Sequence, residues 1–284
     1  MPRRDKRRLG VSMNRFTRTW ELARVSWGVL RADKELMLLP VMSAICSILV
    51  SASFFIPLLV VPQAFEEGPS KPVVYVGLFL FYLVNYFVVI FFNTALISAA
   101  TTRLKGGDPT LKDGLAFAWE NVGRILQWAA VAATVGMILR TIEERVGWLG
   151  KIIISILGAA WSVATYFVIP VMVYEKLGPI DAVKQSAAMF RKTWGERVVS
   201  SVSFGLVFFV LAIPAFLAIF VGLSLGTAMF VVTLILAVVY LLTLAVISAA
   251  LNGIFVAALY QYVHTGEVTG PFTSQMLGSA WQSK

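Results

Sequence analysis

Long apolar blocks limit what this chain can fold into more than any other feature of its sequence. The longest runs almost unbroken from Val198 to Val263. As a helix, this block would be about three times too long to cross a bilayer core about 30 Å thick only once. Inside hydrocarbon, backbone N–H and C=O groups can bond only to each other, so helices are expected. We therefore predict an all-α, polytopic membrane protein.

The composition supports one membrane domain and no soluble one. Of the 284 residues, 58% are hydrophobic and 14% are charged, whereas an ordinary soluble domain is about 45–50% apolar and about 25% charged. A soluble surface needs polar residues to cover it, and this chain has too few. The single cysteine, Cys46, cannot form an intrachain disulfide and is interpreted as a small packing residue.

Six crossings account best for the apolar blocks. The last block divides near Gly222, Ser224 and Gly226, where a turn would leave two crossings, although three remain open on length alone. Pro170 is expected to kink the fourth crossing. The first four crossings are predicted at Leu36–Val61, Val73–Thr101, Val122–Leu139 and Ile152–Tyr174.

The distribution of basic residues predicts the orientation. With six crossings, all but four of the 24 lysine and arginine residues fall on the side that holds both termini. Cytoplasmic loops carry such an excess, so we expect a plasma (inner) membrane protein with cytoplasmic N- and C-termini. The exceptions are Lys71, Arg140, Arg145 and Lys151. Residues 1–14 are expected to form a basic, disordered arm, and either Met1 or Met13 could be the initiator.

Three stretches of sequence share one plan, which predicts an internal repeat. They are TWELARVSWGVLRADKELMLLP from Thr19, DPTLKDGLAFAWENVGRILQWA from Asp108 and GPIDAVKQSAAMFRKTWGERVVSSV from Gly178. Each reads as a short amphipathic helix, a polar cluster and the start of a crossing. We predict three parallel repeats of an interfacial helix plus a transmembrane hairpin, over about 15–107, 108–177 and 178–267. Residues 268–284 would form a cytoplasmic tail with part of a fourth interfacial helix.

Helical spacing places apolar residues on one face of the first and third interfacial helices. The two faces are Phe16, Trp20, Ala23, Trp27 and Leu30, and Ile180, Val183, Ala187, Phe190 and Trp194. Such helices lie in the headgroup zone, where nearby cations attract anionic lipid; alternatively, they pack on the ends of the bundle. The candidate lipid or partner contacts are Trp20, Arg24, Trp27, Arg31, Lys184, Arg191, Lys192 and Trp194.

Polar residues inside the crossings are candidate functional positions because they are costly there. Asn93 and Asn252 occupy matching places in two repeats and are expected to bond between helices. Arg124 is expected to extend its guanidinium to water. The full candidate set is Asn85, Asn93, Arg124, Gln127 and Asn252.

The sequence offers little for catalysis. His264 is the only histidine, and we find no metal-ligand spacing, phosphate-binding loop or dinucleotide fingerprint. We therefore expect no cofactor, no metal site, no nucleic-acid partner and no enzyme activity. Three hypotheses follow. The first is a scaffold or regulator that binds lipids, a protein partner or its own copies at the cytoplasmic face. The second is a transporter or channel for a lipid or hydrophobic solute, and the third is a lipid-headgroup enzyme using His264 or Glu267.

The opening NRFTRTWELARVSWGVLRADKELMLLPVMS and the ending AALYQYVHTGEV resemble a prokaryotic membrane family catalogued as domain of unknown function 6159. The resemblance extends over nearly the whole chain from Met13. More loosely, the helix-plus-hairpin plan is similar to the YciC family and to the membrane domain of some glycerophosphodiester phosphodiesterases. The resemblance implies a membrane location and six crossings, and it supplies no functional residues.

Overall fold

A computed structural model describes residues 15–60, 71–194 and 204–279. Every regular element in these ranges is helical, which confirms the all-α prediction for the described part of the chain. A 3₁₀ helix at Lys34–Met37 joins the first two α-helices. The α-helices are α1 (Arg15–Ala32), α2 (Leu38–Val60), α3 (Lys71–Leu104), α4 (Leu111–Glu120), α5 (Val122–Glu143), α6 (Trp148–Ala164), α7 (Val168–Tyr174), α8 (Pro179–Trp194), α9 (Phe204–Ser224), α10 (Thr227–Thr265) and α11 (Ser274–Ser279).

Five segments within the described ranges are long and apolar enough to cross a membrane. They are Lys34–Ile56, Val73–Leu104, Val122–Glu143, Trp148–Tyr174 and Thr227–Thr265. A further apolar helix, Phe208–Ser224, is shorter. The last apolar block forms α9 and α10, which are separated by a turn at Gly226, where φ is +101°. That turn lies inside the predicted Gly222–Gly226 region.

The interruption in the fourth crossing comes ahead of Pro170. Helix α6 ends at Ala164 and α7 begins at Val168, so Pro170 lies in the first turn of α7. A proline ring clashes with the carbonyl four residues before it, here that of Tyr166. Tyr166 lies in the break, where the backbone makes shorter-range hydrogen bonds such as Val168 N to Thr165 O at 3.1 Å. The proline thus ends one helix and starts the next.

The buried core lies towards one end of the molecule. It is formed mainly by the C-terminal parts of α3 and α10, by α7 and by the first half of α5, and α1, the 3₁₀ helix and α8 add further buried residues. Elsewhere the long helices expose apolar side chains, such as Val73 to Val76 on α3 and Phe220 on α9. An exposed apolar band beside a packed core is the pattern expected when hydrocarbon is the solvent for the exposed part. The finding supports a multi-pass membrane protein.

Helix α4 begins with reciprocal hydrogen bonds. Thr110 Oγ1 accepts from Asp113 N at 3.2 Å, and Asp113 Oδ2 accepts from Thr110 N at 2.9 Å and from the Thr110 hydroxyl at 2.7 Å. This capping box satisfies donors that have no partner in the first turn. The hydrogen bonds from the Thr110 hydroxyl and backbone lower the pKa of Asp113.

We expect Thr110→Ala to destabilise the protein by about 1 kcal/mol, the usual cost of losing such a cap. The fold stabilises the charged form of Asp113. The contribution of this carboxylate to the free energy of unfolding is therefore present above the ordinary aspartate pKa of about 3.9 and is lost as the pH falls through the lower folded value. Unfolding followed by tryptophan fluorescence between about pH 3 and pH 7 checks both effects. A variant as stable as the wild type at neutral pH would contradict the assignment.

Candidate functional site

Four helices pack around one end of the long helices, and we call α1, α4, α8 and α11 the collar. Helix α1 contacts α9 and α10, α4 contacts α3, α8 contacts α6 and α7, and α11 contacts α10. Hydrogen bonds tie the parts together: Arg103 Nη2 donates to Ala32 O at 3.1 Å, and Leu111 N donates to Glu35 Oε2 at 2.9 Å. The collar therefore joins segments that are far apart in the chain.

The apolar faces of α1 and α8 pack against protein, and both are rotated from the predicted faces. In α1 the buried residues are Leu22, Ala23, Ser26, Val29 and Leu30, whereas Trp27 is half-buried. In α8 they are Ala182, Ser186, Met189 and Phe190, whereas Ile180 is exposed. Small residues let these helices approach the bundle closely, which the hydrophobic pattern alone does not reveal. The side chains of Phe16, Trp20 and Trp194 lie outside the described residues.

The basic candidates on these helices are exposed. Arg24, Arg191 and Lys192 lie at the surface of the collar. The Arg31 guanidinium carbon lies 5.5 Å from the centre of the Trp27 ring, a cation–π geometry. Lys184 Nζ pairs with Asp181 Oδ1 at 3.0 Å, one turn away on the same helix. These side chains can therefore meet anionic groups from outside the protein.

Glu175, Tyr260 and His264 form a cluster, of which the sequence singled out only His264. Glu175 Oε1 accepts a hydrogen bond from Tyr260 Oη at 3.2 Å and lies 3.6 Å from His264 Nδ1. The ring of Tyr260 stacks on those of Tyr174 and His264, with centroids 5.8 Å and 5.4 Å apart, and Tyr174 also contacts Phe117. A row of four rings thus links α4, α7 and α10.

The cluster offers limited chemistry. Glu175 accepts one hydrogen bond, from the Tyr260 hydroxyl, and its carboxylate lies close to the His264 ring. Within the described ranges, no group of three or more His, Cys, Asp or Glu side chains could hold a metal ion. Glu267, named with His264 in the enzyme hypothesis, is exposed. The hydrogen bond and the stacked rings of the cluster link α7 to α10.

Lys176 sits beside this cluster in a strained backbone conformation. Its φ is +59°, the left-handed region that glycine occupies most easily. Lys176 Nζ donates to the Oδ1 of buried Asn121 at 3.1 Å and lies 5.9 Å from the centre of the Phe117 ring. Glycine would adopt this conformation at the end of a helix without strain. The contacts of the Lys176 side chain with Asn121 and Phe117 explain why a lysine is accommodated here instead.

We expect Lys176→Gly to be more stable than Lys176→Ala by about 1 kcal/mol. Both variants lose the contacts with Asn121 and Phe117, so the comparison isolates the backbone strain. Chemical unfolding of the two purified variants in the same detergent checks this. Equal stability of the alanine and glycine variants would show that the left-handed conformation carries no cost here.

A buried carboxylate lies where α1 meets the 3₁₀ helix. Asp33 Oδ1 accepts from Glu35 N at 3.2 Å, and Oδ2 has no hydrogen-bond partner among the described residues. Burial raises the pKa of Asp33, while its bond to the Glu35 backbone and the charge of Arg103 act in the opposite direction. Because the folded-state pKa is raised, the contribution of Asp33 to stability is fully present below its unfolded pKa and is lost as the pH rises through the higher folded value.

The five polar candidates inside the crossings do not form one site. Asn85 Nδ2 donates to Phe81 O of its own helix at 3.0 Å. Asn93 is half-buried. Its side chain faces Gly253 of α10: Asn93 Oδ1 would lie 3.8 Å from a Cβ atom added to that glycine. Asn252 is exposed, as is Gln127, and Arg124 is half-buried in the first turn of α5. Asn93 and Asn252 are near the same level but point in different directions.

Two grooves lie on the exposed apolar band, away from both asparagines. One of about 360 Å³ runs between α3 and α5, and one of about 430 Å³ lies along α2 and is lined by Ser47, Ile48, Ser51, Ala52 and Phe55. Neither is lined by Asn93 or Asn252. These grooves therefore do not support the transporter hypothesis, which was based on the two matched asparagines.

One family model matches the chain, over residues 72–270, and its description is a family of unknown function (DUF6159). The match begins later than the resemblance near Met13 predicted, so α1 and α2 fall outside the matched residues. No curated protein and no solved structure matches the chain.

Proposed function

Because the chain belongs to the family of unknown function DUF6159, which assigns no activity, we propose its role from structure and charge. In this proposal it is a non-enzymatic membrane scaffold that binds anionic lipid headgroups at the cytoplasmic face. The observation that carries the proposal is the collar itself. Helices α1 and α8 bury their apolar faces against the bundle and keep basic side chains exposed next to the apolar band.

The collar would hold these cations at a fixed depth. Trp119 on α4 is 68% exposed and contacts Phe91 of α3, and Ile180 on α8 is 58% exposed. Exposed tryptophans favour the headgroup level of a bilayer. Arg24, Arg31 and Arg191 on the same collar would then lie near lipid phosphates, where each cation contributes about 1 kcal/mol on an anionic leaflet.

The proposed topology has six crossings in three like-oriented units, each an interfacial helix followed by a hairpin. The apolar α9 would supply the additional crossing beside the five longer segments. Both termini would be cytoplasmic, and the membrane would be the plasma (inner) membrane, because the basic residues of the sequence concentrate on that side. The contacts of α1, α4 and α8 with one end of the bundle support this arrangement.

The test is lipid binding by a variant in which the exposed cations of the collar are replaced by neutral side chains. Native mass spectrometry of the purified protein would give the dissociation constant of phosphatidylglycerol for the wild type and for the variant with Arg24, Arg31, Lys184, Arg191 and Lys192 changed to glutamine. We expect binding at least about tenfold weaker, which corresponds to about 1.4 kcal/mol. The effect should shrink with salt, because exposed charges are screened.

The matched control removes charge from the other end. Arg145 and Lys151 are both exposed, and changing both to glutamine should leave phosphatidylglycerol binding unchanged. If the control lost as much affinity as the collar variant, nonspecific charge would explain the binding. If the collar variant bound phosphatidylglycerol as the wild type does, the proposal would be wrong.

A further inference from the structure

Helix α5 ends short of the start of its neighbour α3. Arg140, in the last turn of α5, donates from Nη1 to the hydroxyl of Tyr82 on α3. From Tyr82, α3 continues back to Lys71, roughly 16 Å further along its axis. The side chains on that extension include Val73, Tyr75 and Val76, all exposed. The turn after α5 therefore lies in a notch beside a lipid-facing stretch of α3.

An apolar groove leads from this notch between α3 and α5. Its volume is about 360 Å³, and it is lined by Phe79, Thr134, Met137, Ile138, Thr141 and Ile142. The two threonine hydroxyls already donate to carbonyls of their own helix, to Ala130 O and Met137 O at 2.8 Å each. The groove thus offers apolar contact without an unsatisfied donor, which suits a hydrocarbon chain.

A charge pair lies on α5 next to the groove, because Arg140 directly precedes the lining residue Thr141. Arg140 Nε donates to Glu144 Oε1 at 3.1 Å, and the two side chains are 62% and 65% exposed. Charged side chains this close to hydrocarbon require partners. The pair is neutral overall but presents both signs one helical turn apart, so it complements a headgroup that also carries both signs.

We propose that the notch binds a phospholipid with a primary ammonium headgroup, namely phosphatidylethanolamine. One acyl chain lies in the α3–α5 groove. The phosphate accepts from the Arg140 guanidinium, a charge-assisted bond, and the ammonium donates to the Glu144 carboxylate. Phosphatidylcholine has the same net charge, but its quaternary nitrogen has no N–H to donate, so the site discriminates between the two lipids. The site is independent of the collar proposal, because it lies at the opposite end of α5 and selects a different headgroup.

Native mass spectrometry with phosphatidylethanolamine and phosphatidylcholine of identical acyl chains tests the proposal on the full-length protein. The wild type should bind phosphatidylethanolamine about five- to tenfold more tightly, a difference near 1 kcal/mol. Glu144→Gln should abolish the preference, and Arg140→Gln should weaken the binding of both lipids. Arg145→Gln, an exposed change in the same turn, should leave both affinities as they are.

A second variant tests the groove and not the headgroup. Ile138→Trp fills the groove with an indole and should weaken both lipids equally while preserving the preference for phosphatidylethanolamine. Equal binding of the two lipids by the wild type would overturn the proposal. So would a preference that survives Glu144→Gln, or an affinity unchanged by Ile138→Trp. Thermal unfolding of each variant without added lipid identifies any variant that has lost its fold, and in that case the other substitution decides.

Discussion

Gly114→Val is expected to destabilise the protein by about 3 kcal/mol, at the upper end of what overpacking costs. A Cβ at Gly114 would lie 2.9 Å from the carbonyl oxygen of Ala95 and 3.6 Å from Ala99 Cβ. The first of these contacts is with the backbone of α3, which cannot move aside as a flexible side chain can. The added side chain would push α4 away from α3 and loosen the collar. Denaturant unfolding of the purified protein measures the loss.

The control is Gly28→Ala on the exposed side of α1. A Cβ there would meet nothing within 4 Å, and alanine favours a helix over glycine by about 0.5–1 kcal/mol. We therefore expect a small gain in stability. If Gly114→Val were as harmless as Gly28→Ala, α4 would not pack against α3 as described.

Phe190→Ala is expected to cost about 3–5 kcal/mol, the range for removing a buried phenylalanine from a core. Phe190 is 2% exposed, and its ring centroid lies 6.0 Å from those of Tyr166 and Phe167. The substitution would remove the ring that packs α8 against the break between α6 and α7 and would leave a cavity there. Near-ultraviolet circular dichroism and thermal unfolding together would show the loss of packing.

Ile180→Ala on the same helix is the matched control, because the sequence pattern places Ile180 and Phe190 on one face. Ile180 is 58% exposed, so its truncation should change the free energy of unfolding by less than about 0.5 kcal/mol. Equal effects of the two substitutions would mean that α8 packs with the predicted face, in conflict with the structure.

The comparison of Ile180 with Phe190 shows where sequence reasoning succeeds and where it stops. Block length and composition predicted the helices well, since hydrocarbon requires long apolar helices whatever their partners. The rotation of α1 and α8 was not predictable, because a hydrophobic pattern cannot tell a face that meets protein from one that meets lipid. Ala182 and Ser186 are buried although neither is strongly apolar, because small side chains permit close approach.

The polar clusters escaped prediction for a different reason. Glu175 and Tyr260 are 85 positions apart, and neither belongs to a motif with a fixed spacing. Their contact depends on how α7 and α10 meet, which only the fold reveals. Arg140 and Tyr82 are likewise brought together by the packing of α5 on α3. The repeat pattern paired Asn93 with Asn252. In the structure Asn93 faces α10, whereas Asn252 is exposed.

The two lipid proposals assign different headgroups to the two ends of the molecule. At the collar, exposed arginine and lysine side chains favour a net negative lipid. At the notch, the Arg140–Glu144 pair favours a zwitterionic lipid with N–H donors. Each site is tested by substitutions that leave the other intact, so failure of one proposal would not be mistaken for failure of the other.

Cysteine accessibility tests the central claim of like-oriented hairpins with the collar in the cytoplasm. Cys46 is the single cysteine, so Cys46→Ala gives a background without thiols for the separate substitutions Lys112→Cys on α4, Gly147→Cys in the α5–α6 turn and Lys284→Cys at the tail. A membrane-impermeant maleimide applied to intact cells should label position 147 alone, and positions 112 and 284 should react only after permeabilisation. Labelling that placed 112 and 284 on opposite sides, or 147 on the same side as 112, would contradict the account.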